Sequence, residues 1–227
     1  MRTLNNIWEA ICGTSLMFVI IILPFLRSKL RKWGSTKEEL ARELSGDDLI
    51  EDMKGWYNHA ITIKATPAAV WPWIVQLGQN KGGFYSYELL ENIAKSKIHN
   101  VDRIVPEFQD TAIGDAVMMT PTAAPYIVSA IDSGRAFILR LRVNLETQQT
   151  VNVAEPLPPK YQDGSWLFLL EETSEGKTRM ITRSRNKWNQ SKTNTFFYGL
   201  FGIISMVMDR KMLKGIRKRA EKAAKAG

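Results

Sequence analysis

From about residue 115 the chain is a series of short strand-like segments, and it closes on one long helix-like segment. That order restricts the fold more than any other feature of the sequence. Residues 116–120, 126–131, 136–144, 166–172 and 178–187 have strand composition or alternation, with a further short candidate at 150–154. Asp132-Ser133-Gly134 and Ser174-Glu175-Gly176-Lys177 supply hairpin turn chemistry between them. In 136–144, Phe137, Leu139, Leu141 and Val143 share one face while Arg140 and Arg142 share the other. Such alternation suits an antiparallel sheet with one face covered and one wet. At 195–224, apolar residues recur at three- and four-residue steps: Phe197, Leu200, Phe201, Ile204, Val207, Met208, Met212 and Ile216. Residues 196–208 are apolar all round but too few to span a bilayer, so they read as a buried core helix. The fold class expected is α+β, a curved antiparallel sheet gripping a long C-terminal helix.

The first half supplies a strand and short helices. Residues 57–65 read as the first strand. Thr66-Pro67 reads as a helix start with Val70, Trp73, Ile74 and Leu77 on one face, Pro72 splitting or kinking it and Gly78 ending it. Ser86 is placed to cap a second helix carrying Leu89, Leu90 and Ile93. Upstream, 33–53 is a polar connector with two overlapping capping boxes, Ser35 with Glu38 and Thr36 with Glu39. The division expected is an anchor at 1–32, a connector at 33–55 and a domain at 56–224.

Residues 10–26 carry no charge, and Ile7 and Trp8 extend the run past Glu9. About 20 residues at ~1.5 Å each cross a ~30 Å hydrocarbon core. A signal peptide is the rival reading, disfavoured because Arg2 is the lone early cation and no small-x-small cleavage site follows. Arg27, Lys29, Arg31 and Lys32 just after the span keep the following domain on the cytoplasmic side under the positive-inside rule. The expectation is a single-pass membrane protein with a cytoplasmic domain.

Composition closes off several classes. A 44% hydrophobic, 24% charged chain is globular rather than disordered. One cysteine, Cys12, and two histidines exclude an intrachain disulfide framework and make a His/Cys zinc site untenable. No cofactor is implied. The net charge of +8 concentrates at the C-terminus, where Lys211, Lys214, Arg217, Lys218, Arg219, Lys222 and Lys225 face Glu221 alone. No nucleic-acid module accompanies them, so anionic lipid head groups beside a membrane anchor are the nearer partner, and a solvated helix end the plainer reading.

The densest aromatic stretch is 70–90, which holds Trp71, Trp73, Phe84, Tyr85 and Tyr87 around the Gly82-Gly83 pair. It carries no nucleophile–base pair and no phosphate-cradling loop. Its aromatics read as the wall of an apolar cavity or, more plainly, as core under a sheet. Gly82-Gly83 reads as a turn, with a hinge as the alternative. His99, Asp102, Arg103 and Glu107 are the one dense ionisable set of this half, and their plainer reading is a hydrogen-bonded turn. His59 reads as a satisfied structural histidine. Arg183 and Arg185 alternate as Arg140 and Arg142 do. Turned inward they would orient a carboxylate or phosphate; turned outward they form a solvated face, with Glu171 and Glu172 to neutralise them.

The wording AVWPWIVQLGQNKGGFYSYELLENI, then IHNVDRIVPEFQDTAIGD, GSWLFLLEE, KTRMITRSR and MDRKMLKGIRKRAE, resembles the START-like helix-grip superfamily over residues 34–222. More narrowly it resembles the bacterial SRPBCC branch, with its polyketide cyclase/dehydrase-like and lipid-transfer-like members. The resemblance implies an incomplete antiparallel barrel around the C-terminal helix, with an apolar cavity between. Trp71, Trp73, Phe84, Tyr85, Tyr87, Trp166, Arg183, Phe201 and Met208 are the residues expected to line it. The function expected is a membrane-anchored domain that binds, and by extension transfers, a lipid or other hydrophobic small molecule. One alternative is a cyclase or dehydratase on a polyketide or aromatic substrate, using His99, Asp102 or Glu88 as acid or base. Another is a membrane-associated scaffold without ligand. The apolar N-terminal span and the Pro-rich 155–164 loop depart from the family pattern, and fold alone does not decide activity.

Overall fold

The computed structural model describes residues 27–93, 95–189 and 192–225. The expected membrane span at 7–26, with Cys12, lies outside the described residues. Among those described, no helix is long and apolar enough to cross a membrane.

Six strands form one antiparallel sheet: β1 (Gly55–Ile63), β2 (Ala116–Val117), β3 (Tyr126–Asp132), β4 (Ala136–Asn144), β5 (Tyr161–Glu172) and β6 (Thr178–Trp188). Strands β2 to β6 run as a meander, and β1 returns to pair with β6, giving the order β1-β6-β5-β4-β3-β2. The helices are α1 (Lys37–Ala41), α2 (Pro67–Val75), α3 (Glu88–Ile93) and the long α4 (Lys192–Ala223). The α+β class and the helix gripped by a sheet are as the strand order implies. Strand β5 starts earlier than expected. Residues 161–164 pair with β4 on one side and β6 on the other, from Tyr161 against Asn144 and Gln162 against Trp188, so the loop ends with its last proline, Pro159. The 150–154 candidate reduces to a single bridge from Thr150 to Val143.

Local chemistry explains the small helices. Thr36 caps α1 in a reciprocal box, its hydroxyl accepting from Glu39 N and the Glu39 carboxylate accepting from Thr36 N. Helix α2 runs unbroken through Pro72 rather than splitting there. Pro72 is the sixth of its nine residues, so the helix forgoes one backbone bond there, and the burial of Val70, Trp73, Ile74 and Val75 holds the segment together. Ser86 stands two residues before α3. Its hydroxyl donates to the Met208 carbonyl and ties this loop to α4.

The sheet divides the molecule into two cores. On the inner face, Ile61, Ile63, Phe137, Leu139, Phe168 and Met180 pack against Met212, Leu213 and Ile216 of α4. Gly215 lets α4 close on the loop beneath it, because a Cβ there would collide with the Tyr85 carbonyl. On the outer face, Leu44 and Leu49 of the connector cover Ala60, Ile138, Leu167 and Ile181. The connector is therefore a cover for the sheet, with an apolar contact surface of its own.

Candidate functional site

Register determines which side chains meet beneath α4. One inner row runs across the sheet from Tyr57 through Ser184, Trp166 and Leu139 to Val128. Trp166 is its centre. It is buried, and its ring lies against Phe168 at 4.7 Å, Tyr126 at 5.9 Å and Phe84 at 6.4 Å between centroids. Its indole Nε1–H is enclosed and has no hydrogen-bond partner. Tyr126 sits deep enough for desolvation to push its hydroxyl pKa up to about 12, yet the residue retains accessible surface.

The next row holds the polar heart of the grip. Asp209 of α4 is buried and receives the Thr182 hydroxyl at 2.9 Å, while the Tyr57 hydroxyl lies 3.4 Å away. His59 Nδ1 faces the same carboxyl at 2.6 Å, and His59 Nε2 faces the Leu30 carbonyl at 2.7 Å. A carbonyl only accepts, so Nε2 carries a hydrogen, and a further proton lies between Nδ1 and Asp209. Both ring nitrogens are thus spent on the protein and neither is left to act as a base. Burial and then the Asp209 charge hold the Tyr57 hydroxyl well above its ordinary pKa, so it stays a neutral group stacked on His59 at 4.7 Å.

Of the aromatics singled out in the sequence, Phe84 and Trp166 stack together, and Trp71 meets Phe137 edge-on at 6.2 Å. Trp73 is buried edge-on to Tyr85. Tyr85 holds the architecture together. It takes φ +55°, unusual for a bulky residue, and is pinned by Gln76 Nε2 on its hydroxyl, Asn100 on its amide and Arg219 over its ring. Gly82-Gly83 is a turn locked by Gly78 and Gln76 backbone bonds.

The other four expected lining residues differ in burial and in the face they occupy. Tyr87 is exposed, with Lys211 over its ring. Phe201 is 66% exposed. Met208 is half-buried, and its carbonyl and sulfur meet Ser86. Arg183 lies on the outer face. Its guanidinium donates to Asp47 at 2.5 Å, Asn58 at 2.8 Å and the carbonyls of Glu39 and Arg42. Arg185 shares Asp47, Arg179 grips Glu39 at 2.7 and 2.9 Å, Arg140 meets Asp163 at 2.9 Å, and Arg142 holds the carbonyls of Asn152 and Glu155. These arginines are consumed in holding the connector and the Pro-rich loop, neither solvated nor aimed at a ligand.

The acid–base candidates do not reach the inner face. His99 pairs with Glu88 at 3.3 Å on the surface, and Asp102 with Arg219 at 2.7 Å, with the side chains of His99 and Asp102 85% and 82% exposed. Among the described residues, no group of three or more His, Cys, Asp or Glu is placed to hold a metal ion. The residue missed by sequence reasoning is Asp209, which stands in an apolar helix 150 positions from His59 with no local signal of the pairing.

No family model matches the chain, and no curated protein matches it. Solved structures similar to it include a conserved protein from Geobacillus kaustophilus (12% identity over 73% of this chain and 95% of that one, TM-score 0.39). Protein Ms6760 from Mycobacterium smegmatis is 14% identical over 82% and 98% of the two chains, with TM-score 0.39. The Aha1 dimer from Colwellia psychrerythraea is 12% identical over 70% and 96%, with TM-score 0.32. At these scores the likenesses carry no functional argument, and the site rests on its own geometry.

Proposed function

We propose that this chain binds a hydrophobic small molecule or lipid between the inner sheet face and α4, as a member of the START-like SRPBCC branch. Tyr126 carries the reading: a desolvated tyrosine that keeps accessible surface, beside the partnerless indole of Trp166. The aromatic lining gives affinity by apolar burial, at roughly 25 cal/mol per Å² before binding costs. The apolar segment at 7–26 tethers the domain to the bilayer, and the basic C-terminal residues meet anionic head groups. The exposed Phe201, Ile204 and Val207 on α4, with Leu89 and Ile93 on α3, support a membrane-facing surface. Catalysis is disfavoured because the buried His59–Asp209 pair has no free nitrogen and the remaining acid–base candidates lie outside.

Native mass spectrometry of the full chain, with organic extraction and a Nile red titration, tests the reading. The expected result is a co-purifying apolar molecule and saturable dye binding with one site. Absence of both would overturn it.

A further inference from the structure

We infer that the ligand is uncharged and carries a hydrogen-bond acceptor, such as a ketone, ester or ether oxygen, which the Trp166 indole N–H and the Tyr126 hydroxyl receive. This rests on the binding reading above and names the chemical class of its ligand.

A buried indole N–H normally finds a partner, and leaving one without costs the desolvation of a polar group. Trp166 Nε1–H is such a donor, in a residue only 6% exposed. The Tyr126 ring lies 5.9 Å from that of Trp166, and its hydroxyl can also donate. Two donors on one aromatic wall ask for an acceptor.

The charge around them decides which acceptor. The groups packed on Trp166 are Phe84, Tyr126 and Phe168, and its neighbours in register are Leu139 and Ser184. Among the described residues, cations that lie over aromatic rings do so at Trp33, Trp56, Tyr85 and Tyr87, none of which belongs to this wall. Burial alone raises the Tyr126 pKa, with no charged group acting on it. The sheet arginines that would neutralise an anion stand on the opposite face, each bound to a carboxylate or to carbonyls. Among the described residues, the buried ion pair between the inner sheet face and α4 is the closed His59–Asp209 pair. A carboxylate placed here would be desolvated without a counter-charge, a penalty far larger than a neutral oxygen meets.

A matched set of probes tests this: a long-chain methyl ketone, the methyl ester and the free carboxylate of one chain length, titrated into the full chain at neutral pH by calorimetry. Ketone and ester should bind at least about tenfold more tightly than the carboxylate, and Trp166→Phe should weaken the ketone by about tenfold. Tyr126→Phe, the milder change, should weaken it by a smaller factor and fold normally. Equal or tighter carboxylate binding would overturn the inference and leave the binding reading standing. Ketone affinity unchanged in both variants would do the same. Failure of all three probes and of Nile red would remove the binding reading itself.

Discussion

The two faces of the sheet use polar residues in opposite ways. The outer face carries Arg140, Arg142, Arg179, Arg183 and Arg185, and the connector arrives with Glu39, Asp47 and backbone carbonyls to engage them. The inner face carries aromatics and a closed His–Asp pair, with the indole donors of Trp73 and Trp166 left over, the latter beside Tyr126. Charge on the outer face is structural and held by carboxylates and carbonyls, while on the inner face the indole N–H groups of Trp73 and Trp166 are neutral donors without a partner. Arginines that resemble an anion site in the sequence serve here to fasten a cover.

Breaking the inner pair should have the largest effect. Asp209→Ala leaves His59, Thr182 and Tyr57 around an uncompensated gap, and urea unfolding should show a loss of about 3–5 kcal/mol. A loss under ~1 kcal/mol would mean that α4 is held by its apolar face alone. Breaking the outer pair should cost somewhat less, because Arg183 keeps its bonds to Asn58 and carbonyls. Asp47→Ala should lower stability by about 2–3 kcal/mol and leave Nile red affinity unchanged in the folded protein. A selective loss of dye binding would put the outer face into the site.

Acid should loosen the outer cover. Burial acts to raise Glu39, but the hydrogen bonds from Arg179 and Thr36 outweigh it, and its carboxyl sits below the ordinary value. The stabilisation it gives is fully present above the unfolded-state pKa of about 4.3 and is lost as pH falls through the lower folded-state value. Hydrogen exchange at 37–50 should therefore accelerate in acid, and Glu39→Gln should flatten that pH dependence. The smallest effects belong to the surface: His99→Ala and Asp102→Ala should each change stability by under ~1 kcal/mol and dye affinity not at all.

Much of this fold was legible because the signals are local. The hairpin turns at 132–134 and 174–177, the alternation in β4 and the Thr36–Glu39 box each lie within a few residues. What covers each face was not legible, since alternation separates two faces without saying which is inner. Arg183 is thus resolved only by Asp47, 136 positions away. Helix α4 posed the same problem: a segment apolar all round does not say that Met206 is buried while Phe201 is exposed. The His59–Asp209 pair and the accessible surface of Tyr126 depend on the packed sheet and have no sequence signal at all.

The central claim is that a ligand touches the inner face and leaves the arginine face alone. The most direct measurement is a ¹H–¹⁵N spectrum of tryptophan indole and arginine Nε–H groups during titration with a long-chain methyl ketone. The account requires the Trp166 indole proton to move downfield as its hydrogen bond forms, with Arg183 and Arg185 unmoved. Movement of the Arg183 or Arg185 signals with Trp166 unchanged would contradict it.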